Sequence, residues 1–367
     1  MEKQESKMRA DESLAADAWR RLKKNKGAVF GMIVIGLSLF LAAFAYVIAP
    51  DHTPYANRMI VEIGGKSPGW RQTFLLIKKS RVAREPSLLT RLLSGTEDRY
   101  EYKPITESRQ VGDSLIVQLY IDEGLTERQS YYHPPGSDDL RIRTQTFWLG
   151  TDRYGRDILS RLIVGIRVSL SVGLITVILS LSIGILLGAL AGYFGGRTDQ
   201  SIMWLLNVIW SIPTLLLVFA LTLLLGKGFW QVFIAIGLTM WVNVARLVRG
   251  QVMAVKQLEY VEAAHALGYS DARIILRHIL PNILGPVMVI AASNFASAIV
   301  IEAGLSFLGI GVQPPQPSWG LMIKENYNFI ITHHPLLALV PGIAIMLLVL
   351  AFNLLGNGLR DALNVKA

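Results

Sequence analysis

No cysteine occurs among the 367 residues, which excludes disulfide staples in any exposed segment and thiolate metal sites, and leaves the redox compartment open. Nor is there a GxxxxGK[ST] loop to cradle nucleotide phosphates. The nearest string, Gly64-Gly65-Lys66-Ser67, lacks the upstream glycine. An HExxH zinc helix and a GxSxG nucleophile turn are missing as well, Gly304-Leu305-Ser306-Phe307-Leu308 failing the second at its last place. Charge is scarce, at 17% against 52% hydrophobic residues, too little for an ordinary soluble domain. The composition is that of an integral membrane protein.

Six apolar stretches are long enough, at about 1.5 Å per residue, to cross a hydrocarbon layer of roughly 30 Å. They lie near 28–49, 168–194, 201–225, 229–248, 286–309 and 335–357. The first offers a small-x-small pattern at Ala43-Phe44-Ala45, but its apolar run and its polar leader are both too long for a signal peptide, so a retained anchor is expected. With a cytoplasmic N-terminus, eight basic residues precede the first span, Arg197 follows the second, five lie from Arg246 to Arg277, and Arg360 and Lys366 end the chain. The opposite side holds Lys227, Lys324 and the arginines Arg153, Arg156, Arg161 and Arg167. That asymmetry predicts both termini in the cytoplasm. The net charge of +9 is thus mostly a topology signal, and with no basic face carrying interleaved aromatics it does not point to nucleic acid.

This divides the chain into a cytoplasmic segment 1–27, a first transmembrane helix 28–49, an extracytoplasmic insert 50–150, and a core 151–367 with five spans and a cytoplasmic loop at 249–285. The insert carries 14 basic and 13 acidic residues. Its runs IVEI (60–63), DSLIVQLYID (113–122) and RIRTQTFW (141–148), separated by GG, PG and PPG, predict a small β-rich module. In LGTDRYGRDILSRLIVGIRVSL (149–170), Ile158, Leu159, Leu162, Ile163 and Ile166 share a helical face opposite Arg156 and Ser160. That pattern fits either a helix lying on the bilayer surface with snorkelling arginines or a lengthened second span. GVQPPQPSWG (311–320) has three prolines and must be a loop, with Trp319 expected as an interfacial anchor. His333 and His334 adjoin the sixth span; paired histidines there are more often solvated than ligating, and no metal site is assigned.

The loop at 249–285 contains EYVEAAHALGYSDARIILRHILP (259–281). Good helix formers run from Gln257 to Leu267, Gly268 suits a left-handed helix end, and Ser270 can cap a second helix that stops at Leu280 before Pro281. Such a pair, with Val261, Ala264 and His265 on one face and Ala263 on another, can lie in a partner's groove or pack back onto its own spans. From the residues alone both remain open.

The spacing Glu262-Ala263-Ala264, Gly268, Leu280-Pro281 resembles the EAA loop of permease subunits in bacterial ABC importers. Where the common motif has isoleucine two places before the leucine this chain has His278, and the RHILPN form is similar to the peptide and nickel branch. LAGYFGGRTD (190–199), ARLVRGQV (245–252), EAGLSFLGIGVQPPQPSWG (302–320) and AFNLLGNGLRDAL (351–363) resemble the second permease of dipeptide and oligopeptide importers. The likeness covers roughly residues 20–50 and 147–365; the insert matches no named module. It implies an all-α membrane protein with six transmembrane helices in the type I importer permease fold, plus the β-rich insert between helices 1 and 2. It further implies ATPase coupling through Glu262, Ala263, Ala264, Gly268, Ser270, Leu280 and Pro281, with ATP and Mg bound by partner subunits and no cofactor in this chain. The implied partners are a second homologous permease, two ABC ATPase subunits, an extracytoplasmic binding protein, a peptide substrate and the bilayer of the bacterial plasma membrane. Nickel chelates, glutathione and peptide-like antibiotics are the alternative cargoes.

Glu302 is the one acid well inside a predicted span, about 24 Å along it from Pro286 at 1.5 Å per residue. A carboxylate there faces a watery path or a structural partner. Asn294 and Ser297 on the same span supply pathway lining or close helix packing. An ion-coupled secondary transporter or channel is the reading from another class, for which one acid is thin support. A membrane-embedded enzyme has no nucleophile or metal cluster to stand on.

Overall fold

The computed structural model describes residues 16–80, 87–134, 139–226, 228–331 and 334–363. His333 of the histidine pair, and Lys3, Lys7, Arg9, Lys227 and Lys366 of the charge pattern, lie outside the described residues. In chain order the principal elements are α1 (Lys26–Ala43), β1 (Trp70–Lys78), α2 (Leu88–Ser94), β2 (Tyr100–Val111), β3 (Ser114–Asp122), β4 (Leu125–Tyr132) and β5 (Leu140–Phe147). Then come α3 (Ile158–Phe194), α4 (Gly196–Trp210), α5 (Thr214–Leu225), α6 (Phe229–Lys256), α7 (Glu259–Ala266), α8 (Leu284–Phe307), α9 (Trp319–Asn326) and α10 (Leu336–Leu363). They form two compact units. One gathers the chain up to Ser38, Ser169–Val312 and the chain from Ile345; the other holds Leu39–Val168 and Gln313–Ala344, wider than the insert 50–150.

Among the described residues five helices are long and apolar enough to cross a membrane, and a sixth crossing is possible if α4 and α5 count as one broken span. The expected straight span 201–225 is therefore bent, by 89°. Its cause is Ser211-Ile212-Pro213: the proline has no amide to donate, pushes Ile212 away from helical geometry, and itself sits extended at φ −54°, ψ 127° ahead of α5.

In the first unit, α3 and α6 meet along glycines at four-residue spacing. A Cβ at Gly184 would come 2.5 Å from Val244 Cβ, one at Gly188 2.5 Å from the Ala245 carbonyl, and one at Gly192 2.7 Å from the Arg249 carbonyl. Only hydrogen fits there, so the two backbones touch. This is the small-residue packing that replaces the hydrophobic effect inside lipid. The stretches LAGYFGGRTD and ARLVRGQV meet at the end of that seam, where Arg249 donates to both Asp199 oxygens at 2.5 and 2.6 Å.

The second unit carries a five-stranded antiparallel sheet in the order β4-β3-β2-β1-β5. Strand β1, between β2 and β5, is buried on both faces, Phe74 and Leu76 packing with Ile60, Ile63, Tyr120 and Phe147, and Leu75 with Ile105, Leu115, Val117 and Leu140. DSLIVQLYID and RIRTQTFW are strands as expected, whereas IVEI is a single 3-10 turn that lays Ile63 on the sheet. Three hydrophobics in a row, as at Phe74-Leu75-Leu76, carry no alternation, which is why β1 is invisible to a two-residue period.

From Ile158 onward the stretch 149–170 lengthens the second span, because α3 is one helix of 37 residues. Two of its arginines do not snorkel. Arg156 and Arg161 are both 1% exposed and share Asp152 and Glu325: Arg156 Nε donates to Asp152 at 2.6 Å and its Nη2 to Glu325 at 2.7 Å, while Arg161 Nη1 reaches Asp152 at 2.9 Å. Two cations and two anions buried together hold the cost of dehydration down only as a complete set. Trp319 is likewise no surface anchor; it is 3% exposed, opens α9 and donates its indole N–H to the Leu162 carbonyl at 3.0 Å.

Asp157 stands beside this cluster, 4% exposed, with Ser160 donating both its amide and its hydroxyl to it. Burial, helped by the nearby Asp51 carboxylate and opposed by the Ser160 hydrogen bonds, pushes its carboxyl from 3.8 up to about 6. The fold then holds a proton that the unfolded chain has already released, so stability falls as pH rises through that window, by on the order of 3 kcal/mol. Asp157→Asn, which keeps an acceptor for Ser160 but never ionises, is expected to shrink the drop in Tm between about pH 5 and pH 7.5 of the detergent-solubilised chain. An unchanged drop would remove Asp157 as its source.

Candidate functional site

The two arms of the 259–281 stretch are joined by a tight helix end. Gly268 adopts φ +73°, its amide donates to the His265 carbonyl at 2.9 Å, and the Tyr269 amide reaches back to the Ala264 carbonyl at 3.2 Å. That pair of bonds is the Schellman closure, which needs a residue free of a Cβ at the left-handed position. Ser270 precedes the second arm in extended geometry but makes no capping hydrogen bond with its side chain. The second arm does not stop at Leu280. It passes through a π turn, Ile275–Ile279, and a 3-10 turn, Leu280–Ile283, directly into α8. Widening and then tightening the helix gives Pro281 room for its ring and absorbs its missing N–H, so the predicted stop becomes a joint.

Of the two alternatives left open by the residues, packing back onto the chain's own spans is seen on one side of the elbow. Val261, Ala264, Ile274, Ile279 and Ile283 are buried against Ala189, Tyr193, Val244, Val248 and Val252 of α3 and α6. Polar contacts fix the angle: the Tyr193 hydroxyl lies 2.9 Å from His265 Nε2 and donates to Asp271 at 2.7 Å, touching both arms, while Lys256 Nζ donates to the Tyr193 carbonyl at 2.5 Å. Asn282 donates to the Tyr260 hydroxyl at 3.0 Å and to the His278 carbonyl at 2.6 Å. His278, the departure from the common motif, stacks on Tyr269 at 5.8 Å, and the Arg273 guanidinium lies 4.2 Å from the same ring. The other side is open. Tyr260, Glu262, Ala263, Leu267, Gly268 and Pro281 are exposed, Leu267 at 70%. Of the residues named from sequence, Ala264 is therefore core and Leu280 half-buried, while Glu262, Ala263, Gly268, Ser270 and Pro281 face outward.

A second feature of the same unit is a cavity of about 500 Å³ among the membrane helices. Ser297 lines it together with Thr239, Asn243 and Asn353, and Trp210 and Ile212 at the α4–α5 break form part of its wall. Asn294 and Glu302 are not among its walls. Asn294 is 4% exposed with its amide 3.4 Å from Ser180 Oγ, and Glu302 is 1% exposed and accepts a hydrogen bond from Ser306 at 2.6 Å, Ser306 also accepting the Val312 amide at 3.0 Å. Glu302 thus ties the end of α8 to the start of the proline-rich loop. Asn243 and Asn353 were not singled out from the sequence; an amide in an apolar run is a weaker signal than a carboxylate, and only the packing shows that both point into one space.

Residues 184–366 match the family of the binding-protein-dependent transport system inner membrane component, and 13–60 match the N-terminal transmembrane domain of oligopeptide transport permease C. An oligopeptide transport system permease protein of Bacillus subtilis is 41% identical over 252 residues, 69% of this chain and 82% of that one. The chain belongs to the permease family of binding-protein-dependent ABC importers. Such permeases are not themselves enzymes; ATP is hydrolysed by a separate subunit, and family membership implies an ATPase and a substrate-binding protein as partners. With its apolar helices, this permease is a multi-pass inner membrane protein. A glutathione transport system permease protein of Pectobacterium atrosepticum is 44% identical over 220 residues, 60% of this chain and 72% of that one. A dipeptide transport system permease protein of Lactococcus lactis is 32% identical over 356 residues, 97% of this chain and 91% of that one, and an alignment of that breadth runs through the insert.

Proposed function

We propose that this permease forms half of the translocation pathway of an ATP-driven importer of dipeptides or oligopeptides, and that the exposed side of the 259–281 elbow is the surface gripped by an ATPase subunit. The observation that carries the reading is the two-sided construction of the elbow: its inner side is welded to α3 and α6 by buried side chains and the Tyr193 contacts, so displacement of its outer side must move the helices themselves. The ATPase dimer, closed or open, supplies the differential contact, and the permease follows by linkage. In this reading a second, related permease completes a pseudo-twofold pair, two ATPase subunits dock from the cytoplasm, a binding protein delivers cargo from outside, and both termini are cytoplasmic. Glu262 and Ala263 contact the ATPase, Gly268 sets the elbow, and Ser270, Leu280 and Pro281 shape its second arm.

The cavity lined by Ser297, Asn243 and Asn353 is the candidate path, polar enough to pass a hydrated backbone yet walled by apolar side chains. Glu302 and Asn294 support its wall from behind. Ser297→Trp, which fills the cavity without touching the elbow, is expected to lower uptake more than ATP hydrolysis.

Uptake by the reconstituted complex decides the reading. Labelled di- and oligopeptides should accumulate with ATP and not with a non-hydrolysable analogue; accumulation that survives the analogue would favour an ion-coupled carrier instead. Glutathione is the second cargo to assay, because the Pectobacterium glutathione permease is among the relatives. Nickel chelates and peptide-like antibiotics complete the panel.

A further inference from the structure

Helix α2 holds three large apolar side chains away from its own chain: Leu88, Leu89 and Leu93 are 80, 70 and 69% exposed. The helix itself is firmly made. Ser87 Oγ accepts the Thr90 amide at 3.2 Å at its start, and at its end Arg167 donates to the Leu92 and Leu93 carbonyls at 2.6 and 2.8 Å. The same guanidinium donates to the Ala42 and Ala43 carbonyls at 2.6 and 3.1 Å, the last turn of α1. One arginine therefore closes two helix C-termini at once, neutralising the negative ends of both dipoles and fixing α2 level with the end of a membrane span.

That level matters for the leucines. Around it Phe40 near the end of α1 and Phe44, Val47 and Ile48 just past it are 54, 42, 49 and 41% exposed, an apolar flank that runs on beyond the helix end. Three leucines left in water beside that flank would forgo burial at about 25 cal/mol per Å², whereas a helix lying at the headgroup boundary buries them and leaves its polar residues wet. Arg91 of the same helix is exposed and has the chemistry to meet a lipid phosphate.

We propose that α2 is an interfacial membrane anchor, its leucines entering the leaflet in which α1 ends, so that the sheet-bearing insert is held to the bilayer by lipid contact as well as by its connection to the spans. The occupant of the exposed face is phospholipid.

Absence of native cysteine makes the test direct. Leu88→Cys, Leu89→Cys and Leu93→Cys, each in the full chain and labelled with an environment-sensitive fluorophore, would be placed in nanodiscs of phosphatidylcholine or of its dibrominated form. Emission should fall at least about twofold in brominated lipid at these positions, as expected for side chains at the acyl boundary, and stay unchanged for a label at Arg128→Cys on the exposed strand β4. Three positions keep the result readable if one variant does not fold. Labels on α2 quenched no more than the β4 control, whether water or a protein partner surrounds them, would overturn the proposal.

Discussion

Gly268→Pro should abolish uptake, by at least about tenfold for a coupling of this kind, while the ATPase subunits continue to turn over. Proline holds φ near −65° where the elbow needs +73°, and it deletes the amide that donates to the His265 carbonyl. Both bonds of the helix closure are then lost, and the exposed arm swings free of the position that Tyr193 sets. The membrane helices have no reason to disassemble, since Val261, Ala264, Ile274 and Ile279 can stay buried on α3 and α6. Glu262→Lys reaches the same phenotype by another route, reversing charge on the outer side without touching the inner one. The assay is paired: labelled peptide accumulation and phosphate release measured on the same proteoliposomes. Normal accumulation in either variant would count against the elbow as the coupling element.

Gly188→Leu is expected to fail earlier, at assembly. A Cβ at that position meets the Ala245 carbonyl at 2.5 Å, and neither backbone can yield, because Gly184 and Gly192 hold the same two helices in contact one turn away on each side. The cost is about 3 kcal/mol or more, the upper end of overpacking, with a lower Tm in detergent and poor recovery of the permease with its partners. Gly250→Leu, on α6 where nothing lies within 4 Å of an added Cβ, is the control and should be tolerated. Equal Tm for the two variants would mean that the glycine seam is not what joins α3 to α6.

Much of the membrane architecture was legible because long apolar runs obey lipid physics directly. What escaped was contact between segments. The residues 184, 188 and 192 form a four-residue ladder that length and hydropathy pass over, since glycine is neutral on those scales and its meaning lies in what it lets approach. Arg156 and Arg161 read as surface cations because a lone arginine near a membrane snorkels, and only the tertiary placement of Asp152 and Glu325 makes them a buried set. Pro213 was passed over as a break and Pro281 was over-weighted as one. The difference is local: Pro213 leads into a fresh helix across extended geometry, whereas Pro281 follows a π turn that takes up its steric demand. At the elbow, the glycine and its left-handed turn followed from residue chemistry, the family spacing suggested the role proposed above, and the division into a buried and an open side required coordinates.

The most direct measurement uses Leu267, the most exposed large apolar side chain of the elbow at 70%. With Leu267→Cys as the sole cysteine in this chain, a short bifunctional reagent applied to the assembled transporter in membranes should yield a covalent adduct with an ATPase subunit, and its formation should change between nucleotide-free and ATP-trapped states. A cysteine that reacts freely with water-soluble maleimide in every state and never joins the ATPase would contradict the account.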